Sequence, residues 1–117
     1  MKLELVLDAD QAAQGDKVTG RVDVLEGGAS RSLTLTLTFH EQTQSYSAVR
    51  YSSGGKIHTG ELVTGQPVDF DFTVPAEAPP SLKSQHAELY WELAITSDEH
   101  GLDTHAQRRL EVIARRP

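Results

Sequence analysis

The chain has 117 residues and 12.8 kDa, with 38% hydrophobic residues, 17 acidic against 11 basic side chains, and no cysteine. That length fits a single domain over residues 1–117, and the lack of thiols excludes disulfides and thiolate metal sites. A net charge of −6 argues against nucleic-acid or anionic-membrane partners, which need a basic field, and no apolar run approaches the ~20 residues of a membrane span.

The N-terminal Met1-Lys2-Leu3-Glu4-Leu5 is too short and too acidic for a signal peptide, so a cytosolic location is expected. Leu3, Leu5 and Leu7 alternate with Lys2, Glu4 and Val6, the period of two that puts one set of side chains on one face of a strand. Residues 8–14 contain alanines but no apolar stripe, and read as a loop. Val18, Val22 and Val24 then alternate with Thr19, Arg21 and Asp23; Gly20 falls on their apolar side, which points to a bulge or to another backbone close by. The clearest strand follows, where Leu33, Leu35, Leu37 and Phe39 alternate with Thr34, Thr36, Thr38 and His40.

From Gln42 to Val63 the alternation loosens, and Tyr46, Val49, Tyr51, Ile57 and Leu62 suggest two short edge strands about a turn at Ser53-Gly54-Gly55. Val68, Phe70, Phe72 and Val74 restore the period, and the proline-rich stretch over 75–81 must be a loop crossing between sheets. Ala87, Leu89, Trp91, Leu93 and Ile95 form another apolar face, which puts Trp91 in the core and Tyr90 on the outside. In the last strand Ala106, Arg108, Leu110, Val112 and Ala114 share one parity, with Arg108 at the rim. Turn signals stand at Gly15-Asp16, Glu26-Gly27-Gly28, Gly65-Gln66-Pro67 and Glu99-His100-Gly101. The total is seven to nine antiparallel strands, an all-β sandwich in which each strand buries one face.

Three segments carry a family resemblance. They are Gly15-Asp16-Lys17-Val18-Thr19-Gly20, then Phe70-Asp71-Phe72-Thr73-Val74-Pro75 with Ala78-Pro79-Pro80-Ser81, and then Leu89-Tyr90-Trp91-Glu92-Leu93 with Gly101-Leu102-Asp103. In this order they resemble the N-terminal domain of arrestin-like proteins, including the bacterial sporulation-control family. The resemblance implies an immunoglobulin-like sandwich of arrestin type and a scaffolding role. An antibody-type domain needs a Cys–Trp–Cys spacing and an early tryptophan, and neither is present. Arrestins have two such domains, and the paired lysines with which receptor arrestins sense phosphate are missing here, where Lys2 stands alone before Leu3. Phosphopeptide recognition is therefore not carried over.

No constellation points to catalysis. His40 with Glu41, or His58, could act as a base but has no evident nucleophile, and no Gly-x-Ser-x-Gly elbow or phosphate-cradling loop is present. The pairs Asp69/Asp71 and Glu88/Glu92 read as solvated outer-face charges, and Arg108-Arg109 in a strand and Arg115-Arg116 in the tail read as solvated surface. His100, Asp103 and His105 are ligand types for zinc within six positions, although a polar turn in which Asp103 accepts from backbone amides accounts for them. Tyr46, Tyr51 and Tyr90 are the candidate partner-binding residues, because tyrosine buries area at an interface at little entropic cost. The expected function is a cytosolic protein–protein interaction or scaffolding module, not an enzyme and without cofactor. Its partner would be another protein or a second copy held through a sheet edge or outer face. A small-ligand or carbohydrate-binding sandwich is the alternative.

Overall fold

The threonine–leucine alternation is a strand, and its four apolar side chains are all buried while the threonines between them are half-buried on the opposite face. A computed structural model describes residues 1–115 and gives nine strands: β1 (Lys2–Leu7), β2 (Gln11–Ala13), β3 (Lys17–Glu26), β4 (Ser32–Thr43), β5 (Ser47–Thr59), β6 (Val68–Thr73), β7 (Leu82–Lys83), β8 (Ala87–Asp98) and β9 (Thr104–Ile113). They form a three-stranded sheet, β1-β3-β6, and a six-stranded sheet, β2-β9-β8-β4-β5, with β7 added on β8. The molecule is 19 Å across its shortest axis, the thickness of two sheets packed face to face. No helix long and apolar enough to cross a membrane occurs among the described residues.

The core is the apolar parity of each strand brought together. Leu5, Val22, Val24 and Phe70 of the small sheet meet Leu33 to Phe39, Trp91, Leu93, Ile95, Leu110 and Val112 of the large one. Trp91 is 1% exposed; its ring lies 4.8 Å from that of Phe39, and its indole N–H donates to the Pro79 carbonyl at 2.8 Å. The only buried indole is thus hydrogen-bonded, and the same bond ties the proline crossing to the centre of the large sheet. Gly20 fills the role that its position implied. A Cβ there would lie 2.5 Å from the Val6 carbonyl oxygen and 2.7 Å from Cζ of Phe70, its neighbour across β6.

Three expectations are corrected. The 8–14 stretch is not all loop: Gln11–Ala13 pairs with β9 in parallel, the one parallel strand pairing among the described residues, and Ala12 enters the core. Alanine is small enough to sit there without an apolar stripe, which is why periodicity misses it. Ser53-Gly54-Gly55 is not a turn. It lies in the middle of β5, one strand of 13 residues, and the reversal occurs earlier, where Thr43 N–H donates to the Tyr46 carbonyl at 2.8 Å. Gly54 serves close packing instead, since a Cβ would come 2.5 Å from the Leu35 carbonyl oxygen. The two short edge strands are therefore a single long one. The other turn signals hold, with Gly15, Gly65 and Gly101 at positive φ. Of the basic tail, Arg115 bonds to Asp16 and to the Gln14 carbonyl, whereas Arg116 lies outside the described residues.

Trp91→Ala is expected to lower stability in urea unfolding by about 3–5 kcal/mol through the cavity it leaves. Gly20→Ala should cost about 1–3 kcal/mol, because the Val6 backbone cannot withdraw cheaply. A loss under about 1 kcal/mol for the tryptophan variant would contradict the packing described.

Candidate functional site

The two sheets close against each other more tightly on one side than on the other. On the tighter side β1 runs beside β9, and Arg108 of β9 reaches the Leu5 carbonyl at 3.4 Å. On the opposite side β5 and β6 face each other without pairing, and a hollow of about 290 Å³ separates them, lined by Leu35, Leu37, Ser53, Ile57 and Phe72 among others. Tyr51 separates it from a second hollow of about 330 Å³, bounded by Phe39, Arg50, Pro75, Pro79 and Trp91.

β5 is the outermost strand on this side and pairs only with β4. Tyr51, Ser53 and Gly55 stand opposite Phe39, Leu37 and Leu35, so they belong to the inward face, but the small sheet does not extend over them. The register of β4 with β5 shifts at Phe39/His40 and again at Leu33/Thr34, leaving Arg50 and Ile57 as extra residues of β5. Between these two irregularities, Tyr51 to Lys56 is a regular extended segment whose far edge carries unpaired backbone groups.

Tyr46 sits in the β4–β5 turn, 45% exposed, and its hydroxyl donates to Glu41 Oε1 at 2.7 Å. Arg50 donates to Glu41 Oε2 at 2.8 Å and to the Tyr46 hydroxyl oxygen at 3.1 Å. The Tyr46 hydrogen bond, followed by that from Arg50, holds the Glu41 carboxyl below the ordinary carboxylate range. Tyr51 is 39% exposed and stands edge-on to Trp91, with ring centroids 5.5 Å apart. Arg50 therefore links the two tyrosines: it bonds Tyr46 and lines the hollow beside Tyr51.

Tyr90 belongs to a different surface. It lies on the outer face of the large sheet, stacked on His40 at 4.7 Å, with the Arg109 guanidinium 3.9 Å from its ring centroid. Because β4 and β9 flank β8, these neighbours cover the two sides of the ring, and Glu88 in turn holds Arg109 at 2.9 Å.

Several of the remaining candidates are engaged in local contacts, whereas the buried His40 Nε2 has no hydrogen-bond partner. Asp103 accepts from the Glu99 N–H at 3.1 Å, His105 Nδ1 lies 3.1 Å from the Thr96 hydroxyl, and His58 Nε2 lies 3.0 Å from the Glu61 carbonyl. Among the described residues no three His, Asp or Glu side chains gather as a metal ligand set. His40 lies 3.6 Å from Glu92, and Lys17 3.5 Å from Asp71.

The feature that sequence reading misses is the continuity of β5. Its signal is faint: Tyr51, Ser53 and Gly55 keep the inward parity with shrinking side chains, as they can where no sheet lies opposite.

No protein-family model matches the chain, and no curated protein matches it. Among solved structures it is similar to Spo0M, the sporulation control protein from Bacillus subtilis, at 18% identity and a TM-score of 0.72. The match covers 97% of this chain and 49% of that one, so the chain spans about half the length of its structural neighbour. The likeness shows the fold: this is an arrestin-like β-sandwich, as the three ordered segments implied.

Because Glu41 is held below its usual range when folded, its contacts stabilise the fold at neutral pH and are lost as pH falls through the lowered value. Tyr46→Phe removes the larger cause, so the Glu41 carboxyl titration followed by carbon NMR should move up toward the ordinary carboxylate range, with Arg50 retaining part of the shift. An unmoved titration would show that the Tyr46 bond does not form in solution.

Proposed function

We propose that the chain is a cytosolic, non-catalytic protein-interaction module, acting as a single domain without cofactor, that receives an extended segment of a protein partner on the free edge of β5. The observation that carries this reading is the regular segment Tyr51 to Lys56, paired on one side only and bordered by two hollows. Strand addition supplies affinity through main-chain hydrogen bonds, and selectivity comes from the pockets that receive alternate side chains. Tyr46 and Tyr51 stand at one end of that edge, where an incoming strand would cover them. Trp91 is too buried to act as a stacking platform, which favours a peptide ligand over a carbohydrate. The description of its structural neighbour as a sporulation control protein accords with a role exercised by binding rather than by turnover.

The test uses the alternation of the antiparallel ladder. Backbone N–H groups of successive residues point to opposite edges, so of Ser52 and Ser53 one donates toward β4 and the other away. A photo-crosslinking residue at the exposed Val49, introduced in cells that express the protein, should capture a discrete partner. Whichever of Ser52→Pro and Ser53→Pro leaves the thermal melt unchanged should abolish that adduct, since it removes only an outward donor. An adduct that survives in this variant, or no adduct at all, would overturn the reading.

A further inference from the structure

We infer that the segment received on this edge is β5 of a second copy, paired antiparallel about a two-fold axis through Ser53; the inference rests on the strand-addition reading above. Its first ground is length. The irregularities at Arg50 and Ile57 turn the strand at both ends, so only Tyr51 to Lys56 can extend a regular ladder.

The second ground is parity. On a free edge every other residue directs its N–H and C=O outward, and in an antiparallel pair outward residues oppose outward residues. When the two strands are identical, the numbers of opposed residues must therefore sum to an even value, and the symmetry axis passes through a residue rather than between two. The centre of the regular segment offers Ser53 or Gly54.

Side chains decide between them. Either axis leaves one residue opposite an irregularity, Ile57 against Tyr51 for Gly54 and Arg50 against Lys56 for Ser53, so the choice rests on what Tyr51 meets. An axis at Ser53 sets Tyr51 against the partner copy's Gly55 and Ser52 against its Gly54. Tyr51 and Gly55 share the inward face, and nothing lies within 4 Å of where a Gly55 Cβ would stand, so each tyrosine ring has bare glycine backbone and open space to cover. At the ends Arg50 comes beside Lys56 of the other copy. The Arg50 charge is already matched by Glu41 at 2.8 Å, so two unmatched cations do not meet. Five opposed residues form a contact well under the ~1,200 Å² of a stable standard interface, so the dimer is weak and concentration-dependent.

The chain has no cysteine, which makes the axis directly testable. Directly opposed cross-strand residues have Cβ atoms about 4.5–5.5 Å apart, close enough for a disulfide after small adjustment. Ser53→Cys under mild oxidation should give a covalent dimer at least about tenfold faster than Leu102→Cys, whose 95% exposed position at a distant turn reports random collision. Sedimentation of the unmodified chain should show mass rising with concentration. Gly55→Val, which occupies the space meant for Tyr51, should suppress that rise without altering the thermal melt. Equal cross-linking of the two cysteine variants, or a monomer up to concentrations on the order of 1 mM, would overturn the inference. If the Val49 photo-adduct then contains a different protein and still disappears in the tolerated proline variant, self-pairing fails while strand addition stands. If no adduct forms either, both fail.

Discussion

The structure depends on the register between β4 and β8. Twelve residues of each are paired without a break, from Ser32 opposite Asp98 to Thr43 opposite Ala87. That ladder places Phe39 beside Trp91, Leu37 beside Leu93 and Leu35 beside Ile95, so the largest apolar side chains of both strands fall on one face. A slip of one residue would turn all of them outward and bring threonine and glutamate into the core, which is why a two-residue pattern specifies the pairing so strongly. The rest attaches to this pair: β9 and β5 extend it, the small sheet covers its apolar face, and the indole hydrogen bond fixes the proline crossing over its middle.

The cover is unequal to what it covers. Three strands lie over the main path of five, and β1 takes up the slack against β9, so the deficit accumulates at β5 and β6. The composition of β5 agrees with this. Where β4 carries leucines inward, the opposing positions of β5 are a serine and a glycine, residues that lose little by remaining wet. The open side is thus built into the residue choice and is not a defect of packing. A long edge with short side chains is where a sandwich of this kind is accessible to another backbone, and in this chain it coincides with two hollows that meet Tyr51.

Most of the fold was legible because most strands announce themselves twice, by alternation and by turn residues at their ends. Gly20 was readable even in detail, because glycine on an apolar parity has few explanations. What escaped did so for physical reasons. Ala12 adds too little apolar weight to register as part of a strand, and its pairing with β9 is a long-range contact that no local pattern encodes. Ser53-Gly54-Gly55 carries the composition of a turn, yet here the glycine is required by the nearness of the Leu35 carbonyl. The candidate site was half legible. Tyr46 and Tyr51 could be singled out as aromatics near an edge, but the Glu41–Tyr46–Arg50 cluster that orders one of them depends on where the chain reverses. Tyr90 was placed on the correct face, while its covering by His40 and Arg109 needed the strand order β4-β8-β9.

The two ends of the large sheet are very different, and this limits how the molecule can grow. At one end stands the long β5; at the other stands β2, three residues long and joined in parallel to β9. A sheet polymerises only if its opposite edges can accept each other, and β2 presents too little backbone for β5 to grip. Within the large sheet, pairing of two copies through β5 would therefore end at a closed pair, because the opposite edge offers a third copy too little backbone to grip.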